Sequence, residues 1–210
     1  ITALQQSCQP IGKLLIQGAV NPLGVDMIAA FNAVNRIDDY AFTPEQSISH
    51  GITTFTAQNL GSRQDEERKR ERVGAGLRTG LLLEFLYWIF IFLLVYLGRV
   101  PVMKAFVTGE GSTGVVEAGS RDLGTMAFFY LLPAFTNGLQ GFFRGRGKMG
   151  ITLAGTFIQT SLRVAVTYLT APVLGIYGVT IACAVGWTAM LLFEVPCLFF
   201  FRDRTVKQKK

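Results

Sequence analysis

The chain has 210 residues, half of them hydrophobic and only 16% charged, with a formal net charge of +6 and a mean hydropathy of +0.38. A soluble globular chain carries about 25% charged residues, so this composition excludes an ordinary soluble enzyme. The charges sit in short blocks between long apolar stretches, the distribution a bilayer imposes, and the basic excess reads as a cytoplasmic face and not as a nucleic-acid surface.

In chain order, residues 1–20 open on Ile1 with no signal-peptide pattern, so the chain reads as a fragment whose start was cut away. This first stretch carries Gln5, Gln6, Gln9, Lys13 and Gln17. The second, 28–58, carries Asp38, Asp39, Glu45 and His50. Spans this polar are stable only if the polar face lines a protein interior or a wet cavity. The DEERKRER run after it reads as a solvated helical extension with i,i+4 pairs such as Glu66–Arg70.

Four further stretches pass as spans on hydropathy alone: 79–98, which contains LLLEFLYWIFIFLLVYL, then 123–143 with Pro133, 150–173 with Arg163, and 176–201 with Glu194. Each is near the roughly 20 residues that cross a hydrocarbon core. The segment between Arg99 and Arg121, with GEGSTG in it, is expected to be the longest outer loop.

The basic residues settle the status of the two polar stretches. Arg63, Arg68, Lys69, Arg70, Arg72 and Arg78, then Arg144, Arg146 and Lys148, then Arg202, Arg204, Lys207, Lys209 and Lys210 fall in alternate connections. The positive-inside rule makes these cytoplasmic, with the carboxy terminus. The alternation holds only if both polar stretches cross, which gives an all-α, polytopic transmembrane bundle of six spans.

No catalytic signature survives inspection. A phosphate loop ending at Lys148 needs glycine where Phe142 stands and Ser or Thr where Met149 stands. Cys8, Cys183 and Cys197 form no CxxC pair, and His50 is the single histidine, so neither a metal site nor a disulfide framework is expected. The chain is not expected to be an enzyme or to hold a cofactor.

Several stretches, in this order and spacing, resemble the carboxy-terminal half of multidrug and toxic compound extrusion (MATE) transporters. NPLGVDMIAAFNAV (21–34) is similar to the family's outer turn and eighth helix. TTFTAQNLGSR (53–63) resembles its GQNLGAG helix end, with Ala57 and Ser62 as variants. GLRTGLLL (76–83) resembles the start of the ninth helix, and FFRGRGKM (142–149) the LRGxGD turn with Lys148 in the acidic position. Arg163 and GIYGV (175–179) match the eleventh helix and the turn after it. The resemblance implies one six-helix lobe (1–210) of a twelve-helix exporter whose amino-terminal lobe is absent. It further implies a small organic, often cationic, substrate held between lobes, and H+ or Na+ as the coupling ion. The positions of the cation-site carboxylates of several bacterial members correspond to Gln9 and Pro133, which puts that type of site in doubt here.

Among the intramembrane groups, Glu45 is the leading coupling candidate. An unpaired carboxylate at mid-span costs about 2.5–3.5 kcal/mol on insertion scales. The competing reading is a structural ion pair with Lys13. Arg163 reads as a structural group bonded to carbonyls, His50 as a polar packing residue, and Asp38 and Asp39 as local partners of Arg36 or as a mouth attracting cations. Glu84 and Glu194 are expected to snorkel to the cytoplasmic ends of their spans. Phe135 is a candidate for the cleft.

The function expected is therefore secondary antiport of organic compounds across a bacterial-type inner membrane, in contact with membrane lipids. The alternatives are a lipid-linked oligosaccharide flippase of the same superfamily, which needs more basic groups facing the cleft, and a non-transporting membrane scaffold.

Overall fold

The breaks between helices fall where glycine, proline or a charged turn interrupts the apolar runs. A computed structural model gives the fold and describes residues 2–106 and 113–207. Helix α1 (Thr2–Val20) ends in the short 3-10 turn Asn21–Leu23, and Gly24 reverses the chain at φ 101°. Only glycine takes such a conformation at little cost. Helix α2 (Val25–Leu60) runs to Gly61, and α3 (Glu66–Phe106) comes next. Then come α4 (Thr113–Phe129), α5 (Leu131–Gly145), α6 (Met149–Leu174) and α7 (Ile176–Lys207).

Three helices, α3, α6 and α7, are long and apolar enough to cross a membrane unaided. The fourth apolar stretch, 123–143, is not one rod. It is divided between α4 and α5 at Tyr130, and Pro133, with no N–H, leaves the Phe129 carbonyl without its helical donor. The pieces have 17 and 15 residues, so they span only together. The DEERKRER run is helical, forming the first turns of α3, with Lys69 Nζ 2.8 Å from Glu66 Oε1. Helix α3 thus extends well beyond the expected 79–98. The outer loop is shorter than expected, since α3 reaches Phe106 and α4 starts at Thr113; most of GEGSTG lies outside the described residues, as do the basic side chains of the tail.

Side-chain pairings fix an up-and-down order. Tyr87 meets Ala41, and Gly80 and Gly76 lie against Ile52 and Phe55, so α2 and α3 are antiparallel. Asp38 meets Tyr130 and Ser49 meets Gly141, so α2 runs parallel to the α4–α5 rod. Gln5 meets Thr156 and Leu15 meets Tyr168, which makes α1 parallel to α6. Hence α1, α2, α3, α4–α5, α6 and α7 alternate as six spans.

Helix α6 lies between α1 and α7, and α2 lies among α3, α4 and α5, while α1 and α2 touch little. The two groups join where α4 and α5 meet α7. The larger apolar core gathers Ile16, Phe31, Val34, Leu123, Tyr130, Cys183 and Trp187. A smaller one, toward the basic end, gathers Ile52, Val73, Leu77, Leu139 and Phe143. Helix α3 turns Leu82, Leu86, Phe90, Leu93, Leu94 and Leu97 outward. In a bilayer protein these are lipid-facing positions. Along α5, Gly138, Gly141 and Gly145 let its neighbours approach closely; a Cβ on Gly141 would collide with the Ser49 carbonyl of α2. Small-residue stripes of this kind are how membrane helices gain close packing.

Candidate functional site

The scarcity of contact between α1 and α2 leaves a cavity of about 370 Å³ walled by α1, α2, α5, α6 and α7, with Met126 of α4. Such a volume lies within the range of small-molecule sites. Its lining contains Gln9, Lys13, Asp38, Asp39, His50 and Arg163, so six of the seven sequence candidates converge. Glu45 is not among the lining residues; it is buried behind the wall.

The charged groups pair differently from expectation. Lys13 Nζ lies 2.6 Å from Asp39 Oδ1, with both side chains partly open to solvent, so the anticipated Lys13–Glu45 pair is not formed. Arg36 forms no ion pair among the described residues, and the two aspartates diverge. Asp39 faces the opening, whereas Asp38 is buried and accepts a 2.5 Å hydrogen bond from Tyr130 Oη. Helical geometry explains the divergence: neighbouring positions on a helix point about 100° apart.

Glu45 is fully buried and accepts one bond, from Asn137 Nδ2 at 3.2 Å; its Oε1 has no partner. Arg163 lines the cavity and makes no carbonyl bond among the described residues; its Nε is buried without an acceptor. His50 is exposed at the cavity, not packed between helices. Gln9 and Pro133 share the same cavity. Glu84 and Glu194 do not snorkel: both are fully buried, and neither oxygen of Glu84 has a hydrogen-bond partner.

Sequence reading missed other lining groups. Arg144, counted with the cytoplasmic turn, projects back from the last turn of α5 and donates to Ser49 Oγ at 2.8 Å. Nearby, Gln5 Nε2 donates to Gln140 Oε1 and Thr156 Oγ1 at 3.0 and 3.1 Å, and Thr152 donates to Gln5 Oε1 at 3.2 Å. This neutral layer ties α1, α5 and α6 together at the end of the cavity nearer the basic connections. The cavity aromatics are Phe42 and Trp187, in edge contact at 5.9 Å, and not Phe135. Their signal was the shared level of α2 and α7, which no single-helix pattern displays.

Six alternating spans thus enclose a polar cavity lined by charged residues. The MatE family model matches residues 2–169. The chain belongs to the MatE family. A curated relative, the probable multidrug resistance protein NorM of Thermotoga maritima, is 23% identical over 99% of this chain and 43% of its own length. A crystal structure of a MATE transporter in complex with MaL6 superposes with a TM-score of 0.85 at 20% identity, covering 99% of this chain and 45% of that one. A MOP-superfamily transporter from Pyrococcus furiosus, whose binding pocket is described as reversed in polarity and suggestive of a different function, gives 0.83 at 19%, with the same coverage. At these identities the structures establish the fold. The chain spans about half the length of the relatives it matches. In this MatE chain the apolar side chains that α3 turns outward take no part in lining the polar cavity.

Proposed function

We propose that the chain is the carboxy-terminal lobe of a secondary antiporter that exports small organic, often cationic, compounds in exchange for H+ or Na+. The observation that carries the reading is the cavity itself, whose lining holds the carboxyls of Asp38 and Asp39 together with the rings of Phe42 and Trp187. Carboxylates attract an organic cation and aromatic faces hold it. The cavity side chains Gln9, Asp39 and His50 are exposed, as befits a wall completed by an amino-terminal lobe. Secondary transporters place substrate near the midplane between such repeats. The expected location is the inner membrane, with the carboxy terminus cytoplasmic and lipid around α3.

The test is efflux of a fluorescent organic cation from vesicles holding the whole transporter, with Na+ and pH gradients imposed separately. Efflux that follows either gradient supports the exporter. Efflux indifferent to both, from correctly inserted protein, removes it.

One observation favours a second reading. Lys13, Arg144 and Arg163 all line the cavity, and clustered guanidinium and ammonium groups are what a pyrophosphate-bearing lipid needs. The reversed pocket polarity described for the Pyrococcus furiosus neighbour is compatible with a solute other than a cation. Translocation of a lipid-linked oligosaccharide by vesicles that fail to move the cation distinguishes this flippase reading.

A further inference from the structure

Glu84 is an isolated polar group within the bundle. It is fully buried on α3, and both its oxygens lack hydrogen-bond partners. Its surroundings are set by the register of α2 against α3. Tyr87, one turn along from Glu84, donates to the Ala41 carbonyl at 2.8 Å, and Ala41 lies one turn before Glu45. Gly80, one turn before Glu84, faces Ile52. The antiparallel pairing therefore sets Glu84 level with Glu45.

Helix α5 confirms the placement from a third side. Asn137 donates to Glu45 Oε2, and at the adjacent Gly138 a Cβ would come 3.8 Å from Glu84 Cγ. Two carboxyl groups thus lie against one turn of α5. Three of their four oxygens have no partner: Glu45 Oε1 and both of Glu84.

The groups facing this pair supply no counter-charge. From α2 comes Asp38, from α3 Tyr87, from α5 Asn137, and from the α4–α5 break Tyr130. Among the described residues, no Lys, Arg or His lies within ion-pair distance of either carboxyl. A buried carboxylate without a partner is costly, and two side by side more so. A hard metal ion gathers about six oxygens, and the apolar side chains of Ile52 and Leu81 take up part of the space beside Glu84 at this turn of α5.

We propose that Glu45 and Glu84 form a proton-binding pair behind the cavity wall, and that Asn137 connects it to the cavity. This rests on the antiporter reading and deepens it by assigning the coupling ion as H+. Asn137 is both a cavity-lining residue and the donor to Glu45. When its side chain turns away, Glu45 gains access to cavity water. A proton from that water adds to a carboxylate to give a neutral carboxyl; its loss restores the carboxylate. With the pair protonated, α2, α3 and α5 pack as seen here. With it ionised, the same interface must open or hydrate.

The test is infrared difference spectroscopy of the whole transporter in lipid vesicles, without substrate and without a gradient, as bulk pH is changed. The titrating protonated-carboxyl band is expected to lose intensity in Glu84→Gln and in Glu45→Gln. In each variant the remaining carboxyl should shift its midpoint by about one pH unit or more, as coupled sites do. Asn137→Ala should keep the band but change the rate at which it responds. A band unchanged by both glutamine substitutions, midpoints that do not move, or a band abolished by Na+ at constant pH overturns the proposal. The measurement needs no transport, so a failed exporter reading shows separately, as absence of gradient-driven efflux in the unaltered protein. If Glu84→Gln does not insert, Glu45→Gln carries the same prediction.

Discussion

Tyr130 Oη donates to Asp38 Oδ1 at 2.5 Å, joining the break between α4 and α5 to the middle of α2. Both residues are buried, at 0% and 5% exposure. Removing one partner of a buried hydrogen bond leaves the other unsatisfied, at about 1–3 kcal/mol. Tyr130→Phe is therefore expected to destabilise the protein by that amount in thermal unfolding. Combined with Asp38→Ala, which removes the acceptor, the two changes should show a coupling energy of about 0.5–3 kcal/mol in a double-mutant cycle. Additive effects would mean that the bond contributes nothing.

The sequence carried the six spans because alternating basic connections and apolar runs are one-dimensional properties. Gln9, Lys13, Asp38, Asp39, His50 and Arg163, read one by one as candidates, line one cavity, since polar residues in spans have to share an interior. Direction around each helix is the property the sequence did not carry. Asp38 and Asp39 are neighbours in sequence but face different surroundings, and Lys13 chose Asp39 over Glu45. Depth was equally deceptive. Snorkelling assumed that the spans of Glu84 and Glu194 end close by, but α3 starts at Glu66 and α7 runs on to Lys207, so both carboxyls lie well inside their helices and are buried. Arg144, by its position a turn residue, points inward.

The Lys13–Asp39 contact should matter little for stability. The side chains are 42% and 63% exposed, and ion pairs that open contribute about 0–1 kcal/mol. Lys13→Ala and Asp39→Ala are each expected to shift unfolding by less than about 1 kcal/mol. Salt should weaken whatever coupling exists, since exposed charges are screened. A loss of several kcal/mol from either change would show that the pair is dehydrated in the whole transporter.

Close packing of α2 on α5 should be intolerant at one glycine and tolerant at another. A Cβ on Gly141 meets the Ser49 Oγ and the Ser49 carbonyl, a backbone group that cannot rotate away, whereas Gly51 on α2 has open space around it. Overpacking of a tight interface costs about 1–3 kcal/mol. Gly141→Ala should lower thermal stability by that much and weaken the Ser49 Oγ to Asn137 carbonyl bond, 2.5 Å long here. Gly51→Ala should leave stability unchanged or raise it slightly. Equal tolerance at both positions would disprove the close approach.

Water access separates the cavity from the buried carboxyls. In a background with Cys8, Cys183 and Cys197 replaced, Gln9→Cys and His50→Cys should react with a membrane-impermeant thiol reagent, because both positions are exposed at the cavity. Glu84→Cys should not, because its side chain is fully enclosed by α2, α3 and α5. A thiol reacts as the thiolate, so an enclosed cysteine is slowed both by exclusion of reagent and by the cost of ionising in an apolar wall. The contrast should reach at least about tenfold in rate, equivalent to roughly 1.4 kcal/mol in the barrier. If Glu84→Cys were labelled as fast as His50→Cys, the wall between cavity and carboxyl pair would be permeable to water. A proton would then need no opening at Asn137 to reach Glu45.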